Sequence, residues 1–173
     1  MPSVMIAFVA LAIALRLGSL AISMRNEKRL KQQGAVEYCA RTSAILALTH
    51  ITFYLAAITE GFWRAAPLSG VSVLGMALYG LAMCALVWVI VVLGRFWTVK
   101  VIVARDHALV TNRFFNLIRH PNYFLNILPE LIGFALALQA CVTLLVVLPV
   151  CLFVLFLRIR QEQKVMRDRF PEY

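Results

Sequence analysis

The chain has 173 residues, 62% of them hydrophobic and only 14% charged, with a formal net charge of +9 and a mean hydropathy of +0.86. A water-soluble domain carries about 45–50% apolar and about 25% charged residues, and one of this length has too little interior to hide so much apolar surface. The composition excludes a soluble globular domain and implies one membrane-embedded domain, residues 1–173, with lipid over part of its surface.

A helix needs about 20 apolar residues to span the hydrocarbon of a bilayer. Val4–Ser23 is the first such run. No Lys or Arg precedes Arg16, so it lacks the basic head of a secretory signal and reads as a retained helix. Thr42–Thr59 is the second run, between Arg41 and Glu60, and Val71–Leu93 is the third. The stretch Phe124–Leu157 is apolar but interrupted near Gln139. It is too long for one helix and short for two, and predicts a tight hairpin of short helices at Tyr123–Leu138 and Cys141–Leu157. Pro129 and Pro149 are tolerated there where neighbours satisfy the freed backbone groups. Beyond it, Ile159, Val165, Met166 and Phe170 form an apolar stripe with Arg160, Lys164 and Arg167 off it, the pattern of a C-terminal helix at the membrane surface. The expected fold is an all-α integral membrane bundle of about five transmembrane helices.

The basic residues sit at the ends of the apolar runs. The loops after the first and third runs and the tail are rich in Lys and Arg; the second loop has only Arg64 and the hairpin tip has none. With five spans the three basic segments share one side, which the positive-inside rule makes cytosolic, with the N-terminus outside. This distribution argues against nucleic-acid binding, which needs a basic patch interleaved with aromatics. Cys39, Cys84, Cys141 and Cys151 have no metal-ligand spacing and read as small apolar residues, so no metal is expected.

The longest polar stretch, Gly94–Tyr123, falls on the basic side and reads as a loop against the helix ends; loops on a rigid scaffold often carry function. Within it Arg119-His120-Pro121-Asn122-Tyr123 directly precedes the fourth run, Pro121 suiting a first helical turn. By itself this is also the pattern of a cap plus an interfacial Tyr anchor. Arg158 and Glu162 share a helix face at the membrane boundary, as a surface ion pair or as an acid–base pair facing a pocket. Glu130 is an acid inside an apolar run, costly there and functional by default, with Arg16, His50 or a water-filled cavity as its partner. His50 suits an interhelical hydrogen bond, and Arg16 can snorkel.

Taken in order, His107-Ala108-Leu109-Val110, then Arg119–Tyr123, then Arg158, Glu162, Phe170 and Tyr173 resemble the isoprenylcysteine carboxyl methyltransferase family. The segment Arg25–Tyr38 is similar to short bacterial members, some of which methylate an oxygen of alkylpyrone lipids. The resemblance implies an S-adenosylmethionine-dependent membrane enzyme, of a bacterial inner membrane, with its catalytic half at about residues 94–173. It implies a cofactor pocket from His107, Ala108, Leu109, Val110, His120, Pro121, Asn122 and Tyr123, with Glu162 on the cofactor's amino group and Arg158 facing the acceptor oxygen. Lys100 and Phe115 stand in that pocket where the family often has Gln and Tyr.

These residue types suit methyl transfer. Glu162 can pair with an ammonium, and Tyr123 can stack on adenine or face a sulfonium. A carboxylate acceptor needs no base; for an enol or phenol, His120, Glu130 and His50 are candidates, and Glu130 is counted with Arg158 as catalytic. The expected partner is a prenylated or other lipophilic acceptor entering from the bilayer, among membrane lipids. A phospholipid-type N-methyltransferase and a small non-enzymatic transporter or assembly protein are the alternatives; a transporter should hold its polar residues near the midplane.

Overall fold

Ser3–Gln32 forms one unbroken 30-residue helix, α1, in a computed structural model that describes residues 2–65, 67–103 and 122–169. At about 1.5 Å per residue it is about 45 Å long, more than the roughly 30 Å hydrocarbon core. Its last two turns therefore carry the basic residues clear of the apolar run. Met5, Val9, Ala12, Ser19, Ser23, Asn26 and Leu30 are buried along one face, while Val4, Leu11, Leu17 and Met24 are exposed. Such an inverted surface is stable only in lipid.

Gly34, at φ +83°, turns the chain into a short strand, β1 (Val36–Tyr38). Helix α2 (Ala40–Arg64) runs back, and α3 (Gly70–Leu93), capped by the Ser69 hydroxyl on the Ser72 N–H, returns. Gly94, at φ +51°, ends α3. After a single 3-10 turn (Gly94–Phe96), β2 (Val101–Val103) pairs antiparallel with β1, Glu37 opposite Ile102. This two-stranded ribbon is an addition to the expected all-α bundle.

The predicted hairpin is present, with unequal arms. Its first arm opens with a wide π-type turn, Asn122–Ile127, and continues as α4 (Leu128–Ala137). Its second arm has another wide turn, Thr143–Val147, before α5 (Leu148–Arg169). Each wide turn lies just ahead of a proline, Pro129 or Pro149. Proline gives no N–H to the carbonyl four residues back and its ring clashes with it, and wider winding relieves both faults. The C-terminal helix is not a separate surface element: α5 runs unbroken to Arg169 and continues the last span. Among the described residues four helices are long and apolar enough to cross a membrane, and Tyr123–Ala137 is a shorter apolar one.

The tip of the hairpin is tied to the α2–α3 connection. Gln139 donates to the Pro67 carbonyl at 2.7 Å and to the Ser72 hydroxyl at 3.0 Å. Glu60 accepts from the Val142 and Thr143 N–H groups at 2.9 and 2.8 Å, capping a helix start from another helix. Between the two ends α3 and α4 pack backbone to backbone. A Cβ on Gly75 would lie 2.2 Å from the Ala137 nitrogen, and one on Gly133 would lie 2.6 Å from the Tyr79 nitrogen. Small residues allow such approach, the main attraction left between helices when the solvent is itself apolar. Tyr54 stacks on Phe134 at 4.1 Å and Phe8 meets Tyr79 edge-on at 5.1 Å, closing the core across α1 to α4.

Candidate functional site

The Gly94–Lys100 segment is fixed to the end of α1. Asn26 donates to the Gly94 and Trp97 carbonyls at 3.1 and 2.9 Å, and the Ser23 hydroxyl accepts from the Val99 N–H at 2.9 Å. Lys100 pairs with Glu27 at 2.7 Å and with Glu37 at 3.4 Å, and Lys31 pairs with the same two acids. The hydrogen bond from Lys31 holds the Glu37 carboxyl below its ordinary value, and the bond to Glu27 raises Lys100 above its own. The result is that the Val99 carbonyl is presented to the bundle at a set position.

Arg158 of α5 uses it. The residue is 1% exposed. It donates to the Ser43 hydroxyl in the first turns of α2 at 2.6 Å, to the Val99 carbonyl at 3.3 Å, and to the Tyr123 hydroxyl at 3.4 Å. Tyr123 in turn donates to Glu162 at 2.6 Å. Leu46, Val154 and Leu155 pack in one buried apolar cluster with Tyr123. An arginine removed from water is costly unless its charge is compensated. Here its described contacts are neutral oxygens, with the Glu162 carboxylate one hydrogen bond further out.

The structure thus brings together Tyr123, Arg158 and Glu162, the last two one helical turn apart on α5. Asn122 opens the turn that carries Tyr123. His107, Ala108, Leu109, Val110, Phe115, His120 and Pro121 lie outside the described residues. Lys100 sits at the edge of the site through its neighbour Val99, but its ammonium is engaged by two acids. Ser43, Val99, Ser23 and Asn26 went unrecognised in the sequence: three are ordinary polar residues near helix ends, and the fourth acts through its backbone.

Glu130 belongs to a second cluster. Its fully buried carboxylate is held by Arg16 of α1, by the Tyr54 hydroxyl, and by His50 at 3.3 Å. Tyr79 joins through Tyr54 at 3.2 Å and reaches the Ala12 carbonyl at 3.4 Å. Arg16 thus turns inward to an acid instead of snorkelling. On α2, His50 lies seven residues from Ser43, so about 10 Å separates the two clusters. A narrow apolar crevice lined by Leu46, Thr49, His50, Ile127, Leu131 and Leu155, among others, lies between them.

The long apolar helices and the polar site at their basic end define an integral membrane protein. Residues 73–168 match the Isoprenylcysteine carboxyl methyltransferase (ICMT) family, and the chain belongs to it. It is 42% identical to an uncharacterized protein of Haemophilus influenzae (strain ATCC 51907 / DSM 11121 / KW20 / Rd), over 94% of this chain and 95% of the other. It is 30% identical to the uncharacterized protein YpbQ of Bacillus subtilis (strain 168), over 92% and 95%. No solved structure matches it significantly. Family membership makes it a membrane methyltransferase by kind.

Proposed function

We propose that the protein transfers a methyl group from S-adenosylmethionine to an oxygen of a lipophilic acceptor, either the carboxylate of a prenylated cysteine or the hydroxyl of a polyketide-like lipid. The observation that carries this reading is the buried Arg158 guanidinium among neutral oxygens. Such a site favours an acceptor that brings negative charge. It disfavours the amine acceptor of a phospholipid-type N-methyltransferase, since an amine gains nothing from a guanidinium and is repelled when protonated.

The residues fit the cofactor's charges. Glu162 supplies a carboxylate for its ammonium, and the Tyr123 ring, fixed by hydrogen bonds at both sides of its hydroxyl, supplies an aromatic surface. His107, Ala108, Leu109, Val110, Lys100, Phe115, His120, Pro121 and Asn122 are assigned to the same pocket on the family resemblance. The bound cofactor supplies an electrophilic methyl group. Arg158 orients the oxyanion toward it; alignment of this kind can contribute several kcal/mol to the barrier. A carboxylate needs no base. For a hydroxyl acceptor the proton goes to His120, three residues before Tyr123 in the chain, whereas Glu130 and His50 are bound to each other about 10 Å away.

The basic end faces the cytosol, with the N-terminus outside, in a bacterial inner membrane. The polar cofactor enters from that end, and the acceptor arrives from the bilayer beside α2, α4 and α5. Calorimetry of the detergent-purified protein with S-adenosylmethionine tests the reading. Binding is expected, weakened about 10- to 100-fold in Glu162→Ala, the worth of a charged hydrogen bond. No binding by the parent protein overturns the assignment.

A further inference from the structure

The basic end of α1 carries an open cleft that the site above does not use. It measures about 360 Å³ and is lined by Arg29, Leu30, Gln32, Gln33 and Arg95. Leu30 is buried, so the opening presents two guanidinium groups and two amides. Arg95 is steadied against the Phe96 ring at 4.8 Å.

The charge accounting is uneven there. Lys31 and Lys100 share Glu27 and Glu37. Arg64 has Glu60, and Arg16 has Glu130. Neither Arg29 nor Arg95 meets a carboxylate among the described residues. The helix-end carbonyls of Arg29, Leu30 and Lys31 are occupied by the N–H groups of Gln33, Gly34 and Ala35, so they do not offset the two cations as bare acceptors.

Depth decides what the cleft meets. The last apolar residue before the basic end of α1 is Met24, just past the Val4–Ser23 run, and Arg29 lies five residues beyond it, about 7.5 Å along the axis. The headgroup layer on each face of a bilayer is about 5–8 Å thick. Arg95 lies two residues past Leu93, where the apolar run of α3 ends. Two turns before Arg29 on the same face of α1, Ile22 is exposed, and so is Val91, four residues before Arg95. Phosphate-level cations above exposed apolar side chains match a lipid whose headgroup and chains run along the same surface.

We propose that this cleft binds the phosphate of an anionic phospholipid headgroup through Arg29 and Arg95. The two amides of Gln32 and Gln33 give further donors. The binding is independent of methyl transfer, so its failure leaves the proposed activity untouched.

Native mass spectrometry of the full chain released from detergent micelles, with phosphatidylglycerol or phosphatidylcholine added, tests this. The protein should retain phosphatidylglycerol in preference to phosphatidylcholine. R29Q/R95Q should lose that preference by about 10- to 30-fold, since each cation near the surface contributes about 1 kcal/mol. R25Q/K28Q removes the same charge from exposed positions of α1 outside the cleft and should keep it, as should R29K/R95K. Equal loss in R29Q/R95Q and R25Q/K28Q, or no loss in either, overturns the proposal. Displacement of the lipid by millimolar inorganic phosphate also overturns it, in favour of a soluble phosphate site.

Discussion

Tyr123 stands between Arg158 and Glu162: its hydroxyl accepts from the guanidinium at 3.4 Å and donates to the carboxylate at 2.6 Å. One phenol thus couples the first turn of the fourth apolar helix to two positions, one turn apart, on the last. Tyr123→Phe removes both bonds and keeps the ring. Hydrogen bonds to charged groups contribute about 1.5–3 kcal/mol, so S-adenosylmethionine affinity should fall about 10-fold or more while the helical circular dichroism signal stays. Unchanged affinity would remove Tyr123 from the cofactor site.

Arg16 and Glu130 form an ion pair between α1 and α4, in the middle of the bundle. Removing one partner of a buried pair leaves the other uncompensated and costs about 3–5 kcal/mol, whereas replacing both by apolar residues is often neutral. Arg16→Leu and Glu130→Leu should each lower the thermal midpoint in detergent strongly, and R16L/E130L should recover most of the loss. Additive losses would show that the two side chains act separately.

The α3–α4 contact makes a steric prediction. Gly75→Ala and Gly133→Ala put a methyl group within 2.2–2.6 Å of backbone nitrogen, and overpacking of this kind costs about 1–3 kcal/mol or more. Gly80→Ala, with nothing within 4 Å, should be neutral or stabilising by about 0.5–1 kcal/mol through helix entropy. Thermal melts of the three variants check the ordering.

The pH dependence of the β-ribbon follows from its ion pairs. Glu37 is lowered from 4.5, so its contribution is present above that value and is lost as pH falls through the folded value. Lys100 is raised from 10.5, so its contribution is present below that value and is lost as pH rises through the folded one. Hydrogen exchange at the amides of Glu37 and Ile102 should be slowest, after correction for intrinsic rates, between about pH 5 and 10. It should accelerate on the acid side below the ordinary carboxylate range. A protection profile flat from pH 3 to 7 would contradict this.

The helices were legible because each apolar run has the length a bilayer requires, and the break at Gln139 marked the hairpin tip. The wide turns follow from Pro129 and Pro149 once proline's missing donor is considered. The β1–β2 pair was not legible: three residues a side, Val-Glu-Tyr and Val-Ile-Val, give no periodic signal, and the partners are far apart in the chain. In the site, Tyr123, Arg158 and Glu162 were visible through motif order, and Arg16 and His50 were already the partners considered for Glu130. The Val99 carbonyl was invisible because every residue has one, and only the tertiary pinning by Ser23 and Asn26 selects it.

The measurement that bears most directly on the account is transfer of labelled methyl from S-adenosylmethionine into a lipophilic extract, comparing the protein with Arg158→Ala. Mass spectrometry of the product locates the new methyl group. The expected product is an O-methylated acidic or hydroxyl lipid, with transfer reduced at least ~100-fold in the variant, as when an electrostatic contact to the reacting oxygen is lost, and with cofactor affinity retained. Methyl on nitrogen, or full transfer by Arg158→Ala, would contradict it.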